Sequence, residues 1–142
     1  MSDLPKAIRE RTPAPHALKV GLRSAKLPSR EEVGSFCGVE GAALESGDAW
    51  IRVTWGAARD TLLVLLAEGQ GPEHLGFDHA LIVESGHSKT CFLAAYFIAR
   101  RCGGVVQIRQ RATALAAGAF AERYLEDEDL DQRWSRATSS RA

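Results

Sequence analysis

The chain has 142 residues, 45% of them hydrophobic and 25% charged, which is enough apolar material to bury a core unaided and excludes a disordered chain. Eighteen Lys and Arg balance eighteen Asp and Glu, so no net field draws the molecule onto nucleic acid or an anionic membrane. Cys37, Cys91 and Cys102 form an odd set without paired spacing, which speaks against a secreted disulfide framework and for a reducing, cytoplasmic compartment.

Residues 1–16 hold Pro5, Pro13 and Pro15 among mixed charges, a pattern that predicts an extended N-terminal lead-in. Their polarity gives no export signal, and no window reaches the roughly 18 consecutive apolar residues of a spanning helix, so no membrane role is expected. Leu18, Val20 and Leu22 alternate with Ala17, Lys19 and Gly21, the period of a strand with one wet face. Pro28-Ser29-Arg30-Glu31-Glu32 opens a short helix that ends near Gly38. Strands at 39–44 and 50–55 flank Glu45-Ser46-Gly47-Asp48, whose composition is that of a hairpin loop joining an antiparallel pair.

The run 60–68 is apolar without alternation, as a central strand covered on both faces would be, and a strand at 77–84 follows the break at Gly69-Gln70-Gly71-Pro72. Residues 88–102 are apolar almost all round, the mark of a buried helix. Ser88 is placed to cap it, Arg100 and Arg101 suit its last turn, and Gly103 suits a left-handed close. With a strand at 104–109, residues 77–109 read as strand, helix, strand, the one place where a parallel crossover is expected. An Ala-rich final helix covers 112–126; because carboxylates oppose the dipole at a helix C-terminus, it is expected to stop near Leu125 and restart as a short turn through Asp129 to Trp134. Residues 137–142 read as a disordered tail. The sum is a single α+β domain: a mixed, mostly antiparallel sheet packed against a long buried helix (about 88–102) and a C-terminal helix.

Glu84-Ser85-Gly86-His87-Ser88-Lys89-Thr90 lies between strand and helix, where enzymes hold phosphates or nucleophiles. It fails the phosphate-loop spacing, with His87 where lysine is needed, and falls one glycine short of a nucleophile elbow, with no histidine further along the chain to complete a triad. His74, Asp78, His79, His87 and Cys91 lack the spacing of a zinc motif, so neither metal nor cofactor is expected, and Cys91 and Cys102 read as core thiols. Residues 84–111 carry Lys89, Arg100, Arg101, Arg109 and Arg111 against Glu84 alone, and the cluster Arg100, Arg101, Arg109 and Arg111 has no interleaved aromatics, so it reads as a solvated face rather than a nucleic-acid site. Glu126, Asp127, Glu128, Asp129 and Asp131 stand beside Trp134, a set that predicts a contact with a basic partner in which the tryptophan is the anchor.

The stretch 77–106 runs Phe-Asp-His-Ala-Leu-Ile-Val-Glu, then Gly-His-Ser, then a buried helix ending Ile-Ala-Arg-Arg-Cys-Gly-Gly-Val-Val. In this it resembles the small α+β immunity proteins of bacterial polymorphic and contact-dependent toxin systems. The resemblance implies a non-catalytic protein that inhibits a cognate protein toxin by occlusion, without turnover or cofactor. It is one of packing, so it carries over no binding residue. The alternatives are a small hydrolase or transferase using Ser88 and His87 of the turn, and a dimeric chaperone or adaptor; the oligomeric state is left open.

Overall fold

The computed structural model describes residues 5–12, 14–23, 26–39, 41–56, 60–66, 79–108, 114–126 and 128–139. Seven strands among them form one sheet: β1 (His16–Leu22), β2 (Ala43–Gly47), β3 (Trp50–Trp55), β4 (Asp60–Leu66), β5 (His79–Ser85), β6 (Val105–Ile108) and β7 (Ala114–Ala116). Their order is β2-β3-β4-β5-β1-β6-β7, and every neighbouring pair is antiparallel. The protein is α+β, with its longer helices against one face of this sheet.

The first long helix, α2 (Arg30–Cys37), starts as its sequence predicts: Ser29 Oγ accepts from the Glu32 N–H and Glu32 reaches back to the Ser29 N–H, so two orphan donors are satisfied reciprocally. It closes on Gly38 at φ 68°. The second, α3 (Ser88–Cys102), has the predicted bounds, with Arg100 and Arg101 in its last turn and Gly103 left-handed at its end. Ser88, however, is its first helical residue and not its cap; His87 holds the cap position without a side-chain bond, and the hydroxyl that meets the turn is Ser85 Oγ, which accepts from the His87 N–H.

The crossover at 77–109 exists in an altered form. Strands β5 and β6 run the same way on either side of α3, but β1 lies between them and pairs with both. Gly104 makes this possible, because its Cα passes so close to β1 that a Cβ there would lie 2.0 Å from the Gly21 carbonyl oxygen.

Alternation along the strands divides the sheet into two faces. Leu18, Val20, Leu22, Ile51, Val53, Leu62, Val64, Leu81, Val83 and Val106 point to the helical side and meet Val33 and Phe36 of α2 and Leu93, Phe97 and Ile98 of α3. Leu63 and Leu65 point the other way, where they join Trp50 and Ile8 in a separate cluster. Residues 60–66 thus form the doubly covered strand that their unalternating run predicts, with β3 and β5 on either side.

Several expectations give way to the structure. The lead-in contains a helical turn, α1 (Lys6–Arg9), because burying Ile8 on the sheet outweighs the weak local preference of a proline-flanked segment. Strand β2 begins at Ala43, with Val39, Gly41 and Ala42 outside it, and takes in Glu45, Ser46 and Gly47, leaving a two-residue loop at Asp48 and Ala49; residue 40 lies outside the described residues, and Glu45 stays in the ladder since it pairs across to Arg52 at 2.8 Å. The final Ala-rich segment is β7 followed by α4 (Ala117–Tyr124), which stops at Leu125 as predicted. What restarts is a full helix, α5 (Leu130–Ser139), and Ala137, assigned from sequence to a disordered tail, is fully buried within it. Residues 140–142 lie outside the described residues.

Candidate functional site

The bend at 84–90 is held by its own polar groups. The Glu84 carboxylate, 4% exposed, accepts from the Arg11 guanidinium and from the Ala14 N–H at 2.8 Å. Ser85 Oγ donates to the Thr61 carbonyl at 2.9 Å, His87 Nε2 lies 3.0 Å from Asp60 Oδ1, and Lys89 Nζ lies 3.0 Å from Glu128 Oε2. These bonds tie the bend to the N-terminal segment, to the start of β4 and to the loop before α5. His79 begins β5 and His87 follows its far end, six residues of strand away or about 20 Å, so the two imidazoles cannot share one ion. His74 and Asp78 lie outside the described residues, among which no group of three His, Cys, Asp or Glu side chains converges.

The acidic residues predicted as a partner site separate into two sets. Glu126, Asp129 and Asp131 are exposed, whereas Glu128 is largely buried between Lys89 and Arg133 Nη2, the latter 3.4 Å away. Asp127 lies outside the described residues. Asp129 and Asp131 belong to the N-terminal end of α5, not the C-terminal end of α4: Asp129 Oδ1 accepts from the Gln132 N–H at 3.3 Å, and Asp131 stands in the first turn. Carboxylates there favour the dipole, which resolves their apparent misplacement.

Trp134 is half-buried and faces inward. Its ring lies 5.4 Å from that of Phe97, and the Arg100 guanidinium stacks 3.9 Å over it while donating to Tyr96 Oη at 3.2 Å. Arg101 Nε comes within 3.6 Å of Glu32. Arg100 and Arg101 therefore bind helices together and are not merely a solvated face; Arg109 and Arg111 lie outside the described residues. On the far side of α5, Arg133 and Arg136 donate to the Phe36 and Ser35 carbonyls at the C-terminal end of α2, the end where cations are favoured. The α4–α5 corner is thus a fixed platform with three carboxylates on its outside.

A second feature, which sequence reasoning missed, lies on the sheet face away from α2 and α3. Register places Glu45, Arg52, Leu63, Glu84 and Ala17 in one row across five strands, with Trp50, Leu65 and Ile82 in the row beside it. Residues 5–12 and Ala14 lie over this face, and a cleft of about 590 Å³ remains next to them, lined among others by Arg11, Glu45, Arg52, Asp60 and Glu84.

The thiols are passive. Burial pushes Cys37 and Cys91 up to about 12, so both stay protonated and unreactive at neutral pH. Cys102 is raised by burial as well, but it is only half-buried. With a water-soluble disulfide reagent at about pH 8, Cys102 should react first and the other two only on unfolding; equal rates for all three in the folded protein would contradict this packing. Among the described residues no helix is long and apolar enough to cross a membrane.

The chain matches no protein-family model, and neither a curated protein nor a solved structure matches it.

Proposed function

We propose that the protein works by contact, as a cytoplasmic immunity protein that occludes a cognate toxin, and that Glu126, Asp129 and Asp131 meet a basic surface on that toxin. The observation that carries this reading is the engagement of the 84–90 bend: buried Glu84 and Ser85 hold neighbouring elements in place, and the exposed His87 and Lys89 pair with Asp60 and Glu128. The platform beneath the carboxylates adds support, since Trp134, Arg100 and Arg133 fix α5 before any partner arrives and so lower the entropy lost on binding.

The test is co-purification from the native host, followed by binding measurements on the captured toxin with E126K/D129K/D131K. Exposed charges act mainly on encounter, so association should slow by about tenfold or more and lose most of its salt dependence. No complex with a toxin, or an unchanged association rate, would overturn the reading. The Asp60–His87 pair beside Ser88 favours a second reading, a small hydrolase or transferase in which a carboxylate orients an imidazole base. H87A/S88A separates the two: the contact reading expects full inhibition of the toxin, whereas loss of activity in the folded double variant would favour the enzyme.

A further inference from the structure

The sheet face away from α2 and α3 is closed by a weak element. Helix α1 is a single turn whose cap position, Pro5, offers no side-chain bond, and one turn does not sustain itself in water. It is held at two points: Ile8, 1% exposed, sits on Trp50, Leu63 and Leu65, and Arg11 with the Ala14 N–H meets the carboxylate of Glu84. Glu84 is the demanding member of this arrangement, because a carboxylate that deep in the protein must have a cation or donors beside it. Both groups that meet it come from residues 5–14.

The fit of this segment is incomplete. Arg11 Nε and Trp50 Nε1 are buried without a hydrogen-bond partner, two of the three such side-chain atoms among the described residues, and both border the segment. The cleft beside it holds Glu45, Asp60 and Glu84 against Arg11 and Arg52. If Arg11 leaves, Arg52 still pairs with Glu45 and His87 still stands beside Asp60, but buried Glu84 has no cation, so the emptied face calls for a cationic occupant with an apolar side chain for Trp50, Leu63 and Leu65 and a carbonyl for the Trp50 indole.

We propose that this face is a docking site for a segment of a protein partner carrying an apolar residue and, one helical turn further on, an arginine, and that residues 5–12 occupy it as a built-in stand-in. Ile8 and Arg11 stand at that spacing. The site is on the opposite face from the acidic corner and holds whether or not that corner meets a toxin.

The probe is a fluorescent peptide of residues 4–15 of this chain, titrated by anisotropy against the full-length protein. Ile8→Asp releases the built-in occupant and leaves the strands unaltered, so it should bind the peptide at least about tenfold tighter than the unaltered chain, whose site is already filled. Replacing the peptide's arginine by glutamine, or adding E84Q to I8D, should weaken binding by about tenfold. If I8D does not fold, R11Q takes its place with the same expected order. A folded I8D that binds no tighter than the unaltered chain, or a peptide indifferent to its arginine, overturns the proposal. So does a concentration-dependent dimer of the unaltered chain that I8D abolishes, which would assign the face to residues 5–12 of a second copy.

Discussion

Gly104→Ala is expected to cost about 3 kcal/mol or more, a large part of the 5–15 kcal/mol that typically separates a folded domain from its unfolded chain. The added methyl would stand 2.0 Å from the Gly21 carbonyl oxygen and 3.0 Å from Leu22 Cδ2. A side chain can rotate away from a methyl, but a carbonyl inside a ladder cannot. Relief requires β6 to move off β1, which disturbs the Val20–Val106 pairing that joins β6 and β7 to the rest of the sheet. Gly118→Ala is the matched control: Gly118 lies near the start of α4 with nothing within 4 Å of its would-be Cβ, and alanine there should be neutral or stabilise by up to about 1 kcal/mol. Urea unfolding of both variants decides the matter. A Gly104→Ala protein within about 1 kcal/mol of the parent would mean that β1 and β6 do not approach as described.

The pattern of success from sequence follows the range of the forces involved. Helix α3 is legible because its apolar run, basic last turn and closing glycine are local and agree with one another. Helix α2 is legible for the same reason, with Ser29, Glu32 and Gly38 each in the position its chemistry favours. Errors arise where a distant contact overrides a local preference. Three prolines describe residues 1–16 as extended, yet Ile8 reaches a cluster made by β3 and β4 and draws a helical turn with it. Glu45 reads as loop until Arg52, opposite it, makes it a strand residue. The acidic run is awkward as the end of one helix and natural as the start of the next, and only the bounds of α5 distinguish the two.

The cleft leaves only one trace in the sequence. Glu84 is separated by 73 residues from Arg11 and by 70 from Ala14, and it looks from sequence like the polar end of a strand rather than a buried charge. A contact that far apart in the chain leaves no periodicity to read. The signal lies in the strand itself: Ala80, Ile82 and Glu84 share one face, so a carboxylate on a mostly apolar stripe needs a partner from elsewhere.

Phe97→Ala is the second change with a large expected effect, about 3–5 kcal/mol, because the ring is fully buried and its removal leaves a cavity between three helices. Phe97 lies 4.9 Å from the Phe36 ring of α2 and 5.4 Å from the Trp134 ring of α5. The loss should not spread evenly. Helix α5 reaches the core through Trp134 and Ala137, while β4 is held between β3 and β5 and covered on both faces. Amides of 130–139 should therefore exchange faster in the variant by a larger factor than those of 60–66. Phe97→Leu, which keeps most of the volume, should restore much of the stability and slow exchange in α5 again. If α5 and β4 respond alike, Phe97 supports the domain as a whole and the carboxylates Asp129 and Asp131 do not stand on a platform of their own. If α5 responds first, the same ring that fills the core also fixes the acidic corner, and on the proposed function any toxin held by that corner should bind more weakly to Phe97→Ala even at temperatures where the sheet remains folded.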